Sequence, residues 1–245
     1  MINHDLESKI HSGVDFEKTI LTHHSKTLIV SFVNPYSYKT ISRNNKIISS
    51  VDYWFSDGAL LCLLLNLTRS SKVSRASFDF SSIASNVFQF SSKNNKRIAF
   101  IGGQESEINS AIDNIKNIHP NLNVVSQFSG YFDPRNTRHI ANEISKSQPD
   151  ILVVGMGTPA QEEFSIICKD VFTTPCIIFT CGGFITQSAI QSDYYHPLIK
   201  KLGLRWLQRA YNFKHVRRRL LLDYPSFTIK YLFDSLTSRI IQLSK

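Results

Sequence analysis

Three glycine turns carry the chemistry this sequence can do. The longest lies in Pro149–Phe164, PDILVVGMGTPAQEEF, where a buried strand turns on Gly155, Gly157 and Pro159 and enters a helix bearing Gln161, Glu162 and Glu163. RIAFI runs into Gly102 and Gly103, and PCIIFT runs into Cys181, Gly182 and Gly183. A strand feeding a glycine turn and a helix N-terminus lets backbone N–H groups approach a phosphate or nucleotide closely. Two polar side chains mark further strand ends. Asn34 closes KTLIVSFV and opens the turn Asn34-Pro35-Tyr36. It can point into a ligand crevice or simply close an Asx turn. Asp57 stands between the apolar stretch Ile47–Phe55 and the apolar helix Ala59–Leu67. It can cap that helix or offer a carboxylate to take a proton. Arg75 and Asp79 follow in SRASFDFSS.

The elements that must position these residues alternate. Strands are expected at 26–33, 47–55, 97–101, 122–127, 150–155 and 175–180. Helices are expected between them, among them 77–90, the segment from Gln104 through Ile118, and Pro134–Ser147. Residues 1–25 read as a polar, weakly patterned lead-in, with His23 and His24 as surface residues. This alternation predicts an α/β fold: a Rossmann-like, mostly parallel sheet flanked by helices, with a crevice above the strand ends. From Pro197 the pattern becomes helical, aromatic and basic. The expected organisation is therefore a domain over 1–195 and a basic amphipathic helical appendage over 196–245.

Charge follows the same division. The 245-residue chain has a net charge of +9, and Asp223 and Asp234 are the only acidic residues after His196, against eleven Lys and Arg. The body is balanced and the tail holds the excess. Such a tail suits a polyanion: an anionic membrane surface, a phosphorylated substrate or a nucleic acid. Cys62, Cys168, Cys176 and Cys181 sit in apolar surroundings without CxxC spacing, as buried thiols in a reducing compartment do. No signal segment and no run of about 20 apolar residues is present, so a cytoplasmic location is expected. Walker A, GxSxG, HExxH and DxD patterns are absent, which favours chemistry without a metal or other cofactor.

Together these stretches resemble the WecG/TagA/CpsF glycosyltransferases (glycosyltransferase family 26), from about Lys26 to Phe227. PDILVVGMGTPAQEEF resembles the family's strand, Gly-x-Gly-x-Pro-x-Gln-Glu turn and helix. IAFIGGQ with HPNLNVVSQFSGYF resembles a second signature ending in Gly-Tyr-Phe. Asn34 and Asp57-Gly58 match in order and role, Arg75 lies where the family has an active-site arginine, and LGLRWLQRA with Arg217–Arg219 resembles its basic C-terminal appendage. The chain departs from the family pattern at Phe32 (often Thr), after Arg75, at Ile185 (usually Asp), at Asp193–Pro197 and at Arg205. These departures fall around the donor pocket and the appendage and leave the donor sugar open.

The resemblance implies an inverting, metal-independent transfer of a sugar (N-acetylmannosamine-like, or a related hexose or uronic acid) from a UDP-sugar. The acceptor would be a polyprenyl-diphosphate-linked sugar at the inner face of the cytoplasmic membrane, in cell-surface polysaccharide synthesis. It favours Asp57 as general base, with Asn34 and Gln161 orienting the sugar. Gly102, Gly103, Gly155, Gly157, Gly182 and Gly183 would line the UDP site, and Tyr131 would pack on base or ribose. Arg75 and Arg209, Arg217, Arg218 or Arg219 would neutralise the departing diphosphate. The expected partners are thus the two substrates and an anionic membrane surface, with homo-oligomer formation left open and no nucleic acid. A basic nucleic-acid-binding α/β module is the alternative: Trp206, Tyr211 and Phe213 could stack bases. A Rossmann oxidoreductase is a third, weaker reading, since no strand is followed by GxGxxG with an acidic residue about twenty positions on. A thermal-shift assay separates the three: UDP should raise the melting temperature, while NAD and oligonucleotides should leave it unchanged.

Overall fold

A computed structural model describes residues 2–13, 16–22, 24–69, 71–190 and 217–243. Seven parallel strands form one sheet: β1 (Ile10–His11), β2 (Leu28–Val33), β3 (Tyr53–Ser56), β4 (Arg97–Gly102), β5 (Asn123–Phe128), β6 (Ile151–Gly155) and β7 (Ile177–Thr180). Their spatial order is β1-β3-β2-β7-β6-β4-β5. Before β3 lie α1 (His4–Ser8), α2 (Phe16–Ile20), α3 (Pro35–Ile41) and α4 (Asn45–Ser50). The body continues with α5 (Ala59–Thr68), α6 (Ile83–Lys93), α7 (Glu105–Ile118), α8 (Thr137–Lys146), α9 (Ala160–Val171) and α10 (Phe184–Ile190). After a π turn over Arg219–Asp223, α11 (Tyr224–Leu243) ends the described chain.

The central strands are apolar on both faces, as sheets covered on both sides must be. Their residues alternate between two cores with the period of two that a strand dictates. Ile29, Val33, Ala99, Ile101, Leu152, Val154 and Ile178 face one core, closed by α3, α5, α8 and α9. Val30, Phe55, Ile98, Phe100, Val153, Ile177 and Phe179 face the other, closed by α6, α7 and α10. Ser31 and Thr180, both fully buried, are polar members of otherwise apolar strands.

Two expectations change. The stretch Ile47–Phe55 is not one strand. Its first half is α4, because the Asn44 side chain accepts from the Ile47 N–H at 3.1 Å and starts a helical turn that buries Ile47 and Ile48. Residues 1–25 are more than a lead-in. Asn3 caps α1, and Ile10–His11 pair with Trp54–Phe55 as an edge strand, which periodicity cannot reveal in a two-residue element. The proposed boundary near residue 195 falls outside the described residues. Beyond it, α11 docks on the body through Phe227 and Tyr231. Their rings lie 5.4 and 6.1 Å from that of Tyr38 on α3, and the Tyr231 hydroxyl is 3.2 Å from Thr68 Oγ1.

Gly102 shows how tightly β4 and β6 are pressed together. A Cβ there would lie 2.4 Å from the Gly155 carbonyl oxygen, on a backbone with φ +147°. At Gly157, φ is +74° but no atom lies within 4 Å of a Cβ. Gly102→Ala should therefore cost about 3 kcal/mol and Gly157→Ala about 1 kcal/mol, a difference that urea unfolding of the two variants would resolve.

Candidate active site

Parallel strands end together, so the carboxyl ends of β2, β3, β4, β6 and β7 share one edge of the sheet. A cleft of about 520 Å³ opens there. Asn34, Asp57, Gly103, Tyr131, Gly155, Gly157, Gln161, Gly182 and Gly183 all line it. Residues more than a hundred positions apart in sequence thus meet because each follows a strand. Gly102 sits just behind, packed against Gly155. Tyr131 is 75% exposed at the mouth, on a loop tied down by the Gly130 N–H and the Ser129 hydroxyl, both donating to the Gly103 carbonyl. Phe32 also lines the cleft, so this departure from the family pattern falls within reach of substrate.

The two candidate polar residues of the β2–β3 side differ in what they have left to offer. Asn34 caps α3: its Oδ1 accepts from the Tyr36 and Ser37 N–H groups, each at 3.0 Å. Both partners are donors, so the capping atom is the oxygen. The Nδ2 amide makes no hydrogen bond among the described residues and remains for a ligand. Asp57 does not cap α5. The N-cap is Gly58, at φ +101°, and no side chain bonds it. The Asp57 carboxylate instead lies on the cleft wall, about a quarter exposed, and accepts from Arg75 Nη2 at 3.2 Å.

Arg75 lies outside the cleft lining and bridges two carboxylates. The same Nη2 reaches Asp79 Oδ2 at 2.6 Å, while Asp79 Oδ1 accepts from the Ser81 N–H at 2.9 Å. Burial opposes the guanidinium charge, but Asp57 and Asp79 more than offset it, so the Arg75 pKa stands above its ordinary value. Asp79, which lines the cleft, is a second acidic wall residue whose placement sequence spacing did not show.

Sequence reasoning left Glu162 and Glu163 undistinguished. Of the adjacent pair, Glu163 faces solvent, whereas Glu162 is fully buried beneath the cleft. Its Oε1 accepts from Ser31 Oγ at 2.8 Å, Gln161 Nε2 at 2.9 Å and Thr158 Oγ1 at 3.2 Å. Its Oε2 has no partner among the described residues. Ser31 in LIVSFV and Thr180 closing IIFT were the available signals: polar residues in buried strands need a partner. Burial raises the Glu162 carboxyl above its ordinary value of 4.5, against the opposing pull of the hydrogen bonds from Gln161, Ser31 and Thr158.

Of the predicted arginines, Arg217 and Arg218 are exposed just before α11, while Arg209 and the Arg219 side chain lie outside the described residues. No described helix is long and apolar enough to cross a membrane. All four cysteines are buried free thiols, and burial pushes those of Cys168, Cys176 and Cys181 up, away from reactivity.

Comparison with known proteins adds to this geometry. The family model described as "Glycosyl transferase WecG/TagA/CpsF family" matches residues 8–240. The chain is 43% identical over 210 residues (86% of this chain, 88% of the relative) to a UDP-Gal:alpha-D-GlcNAc-diphosphoundecaprenol beta-1,4-galactosyltransferase of Shigella boydii. It is 23% identical over 231 residues (93% and 88%) to an N-acetylglucosaminyldiphosphoundecaprenol N-acetyl-beta-D-mannosaminyltransferase of Bacillus subtilis (strain 168). A Staphylococcus aureus (strain NCTC 8325 / PS 47) protein with that same activity in its name is 25% identical over 138 residues (56% and 52%).

The buried Glu162 has a measurable consequence. A carboxyl with a raised folded-state pKa contributes stability below its ordinary value, and that contribution is lost as pH rises through the folded value. Glu162→Gln does not titrate. Its melting temperature relative to wild type should therefore rise as pH increases above the ordinary carboxyl value and level off once pH passes the folded one, as calorimetric scans at intervals of one pH unit would record.

Proposed function

The chain belongs to the WecG/TagA/CpsF glycosyltransferase family, and from that premise we propose that it transfers galactose from UDP-galactose to the 4-hydroxyl of an N-acetylglucosamine carried on undecaprenyl diphosphate. The 43% identity to the galactosyltransferase supports galactose over N-acetylmannosamine, since the mannosaminyltransferase is only 23% identical over a similar span. The observation that carries the reaction type is Asp57: a carboxylate on the cleft wall, free of any capping duty, across from the glycine turns after β6 and β7.

In this reading Asp57 is the general base. It takes the proton of the acceptor hydroxyl as that oxygen attacks the anomeric carbon, while UDP departs from the opposite face. An α-linked UDP-galactose then gives a β-linked product, so the anomeric centre inverts. Arg75 holds the Asp57 carboxylate in place from behind. Asn34 orients a sugar hydroxyl through Nδ2. The backbone at Gly103, Gly155 and Gly157 approaches UDP closely. The departing diphosphate is neutralised by arginines of the C-terminal region, from among Arg209, Arg217, Arg218 and Arg219, without a metal.

The acceptor would enter from the side of α3. A second groove, of about 540 Å³, shares Tyr36 with the cleft and is lined by Lys39, Arg43 and Lys230 together with Asp223. Three cations against one carboxylate leave it net positive, which suits the acceptor's diphosphate. The outer face of α11 exposes Ile229, Phe233 and Leu236, each more than 60% accessible, next to Leu221 and Leu222. An apolar face beside a basic tail suits docking at the inner surface of the cytoplasmic membrane.

Radiolabelled transfer from a panel of UDP-sugars to a short-chain lipid diphosphate N-acetylglucosamine tests this reading. UDP-galactose should be the preferred donor, and Asp57→Asn should lower kcat by about 10²- to 10⁴-fold with UDP affinity and melting temperature preserved. Full turnover in Asp57→Asn would remove the base assignment.

A further inference from the structure

The strand order puts the end of β2 between the two halves of the site. On one side lies β3, which leads to Asp57, and on the other lie β7 and β6, which lead to glycine turns. The Asp57 N–H donates to the Val33 carbonyl at 2.8 Å and ties the end of β3 to that of β2. With Asp57 taking the acceptor's proton and the glycine turns holding UDP, the transferred sugar is the part of the substrates that spans the gap. Its anomeric carbon meets the attacking oxygen on one side and the departing diphosphate on the other. The sugar ring therefore lies over the end of β2.

Phe32 is what β2 presents there. It is the one residue of this strand that is not buried, and it lines the cleft. Phe78 and Phe184 line the cleft too, but both are buried, with rings 5.2 Å apart. The Phe32 ring is braced by its cross-strand partner Phe55, with planes 25° apart and centroids 6.0 Å apart. Phe55 is itself buried and packs edge-on against Phe16 at 5.8 Å. A half-exposed ring set between Asp57 and the glycine turns offers a ligand contact but no hydrogen bond. The face of an aromatic ring is weakly negative and attracts C–H groups, whose hydrogens are weakly positive.

Hexoses differ in how many C–H groups they gather on one face. In galactose the 4-hydroxyl is axial, so H3, H4, H5 and C6 form one continuous apolar face. In glucose the 4-hydroxyl is equatorial and H4 points to the opposite face. N-acetylmannosamine shares that equatorial 4-hydroxyl. The apolar face of galactose is the face from which an α-linked UDP departs. A ring packed on it leaves the other face of the anomeric carbon open to the acceptor oxygen.

We propose that Phe32 is a specificity-determining residue: its ring packs on the C–H face of the transferred sugar and selects galactose over its C4 epimer, glucose. The proposal rests on the UDP-sugar reading above, and it assigns the choice at C4 to a side chain that makes no hydrogen bond.

Calorimetric titration of the full chain with UDP, UDP-galactose, UDP-glucose and UDP-N-acetylmannosamine tests this without needing an acceptor. Leucine at position 32 keeps apolar bulk without a flat face, whereas tyrosine keeps the ring. Wild type should bind UDP-galactose at least about tenfold more tightly than UDP-glucose. Phe32→Leu should close that gap to within about threefold while UDP itself binds as in wild type, and Phe32→Tyr should keep most of it. Equal binding of the two epimers by wild type overturns the proposal, as does an undiminished gap in Phe32→Leu. Loss of the gap in Phe32→Tyr overturns it as well, because the ring would then not be its source. So does a parallel loss of UDP binding in Phe32→Leu, which would mean a merely structural role. Tighter binding of UDP-N-acetylmannosamine than of UDP-galactose by wild type would remove the galactose reading, while the gap between the two C4 epimers still decides the role of Phe32.

Discussion

The parallel pairing of β2, β7, β6 and β4 is the constraint on which the rest depends. Parallel strands must each be returned by a crossover, so their carboxyl ends emerge on one edge and the following turns cluster there. At that edge Gly102 presses on Gly155, leaving no space for a side chain between them. The turns therefore bring backbone, rather than side chains, to the floor of the cleft. The apolar faces of these strands enter both cores, where the helices pack on them and hold the edge in place. A site built on such strand ends is more tightly located than one built on free loops.

Charge in the cleft is arranged around that frame. Arg75 is placed behind the wall by the segment after α5, and it reaches two carboxylates at once. One cation between two anions lets Asp57 and Asp79 stand close to the same cleft without mutual repulsion deciding their positions. On the opposite wall, Glu162 gathers three donors on one buried oxygen. The two acidic clusters thus do different work. The first leaves a carboxylate on the cleft wall, and the second buries one beneath it.

The C-terminal helix extends the frame outward. Tyr38 is buried between α1 and α11, donating to Glu7 Oε1 at 2.6 Å while its ring meets Phe227 and Tyr231. That aromatic contact sets α11 beside α3, so the basic groove adjoins the cleft at Tyr36. The opposite face of α11 stays apolar and uncovered among the described residues.

Sequence by itself determined the fold class, the three glycine turns, and Asn34 and Asp57 at strand ends, because short continuous apolar runs and glycine breaks are local properties of the chain. It also placed the charge excess in the tail, since charge is additive along the sequence. It misread Ile47–Phe55, where an Asn44 cap outweighs β-branched residues, and it could not see a two-residue edge strand whose existence depends on its neighbour. Whether Asp57 caps α5 or faces the cleft was undecided locally, and only the left-handed Gly58 at the helix start settled it. The pairing of Arg75 with Asp57 and Asp79, and the hydrogen-bond chain from Glu162 through Ser31 to Thr180, belong to the tertiary structure alone. Those contacts join residues up to 149 positions apart, and their geometry exists only once the sheet has brought the strands together.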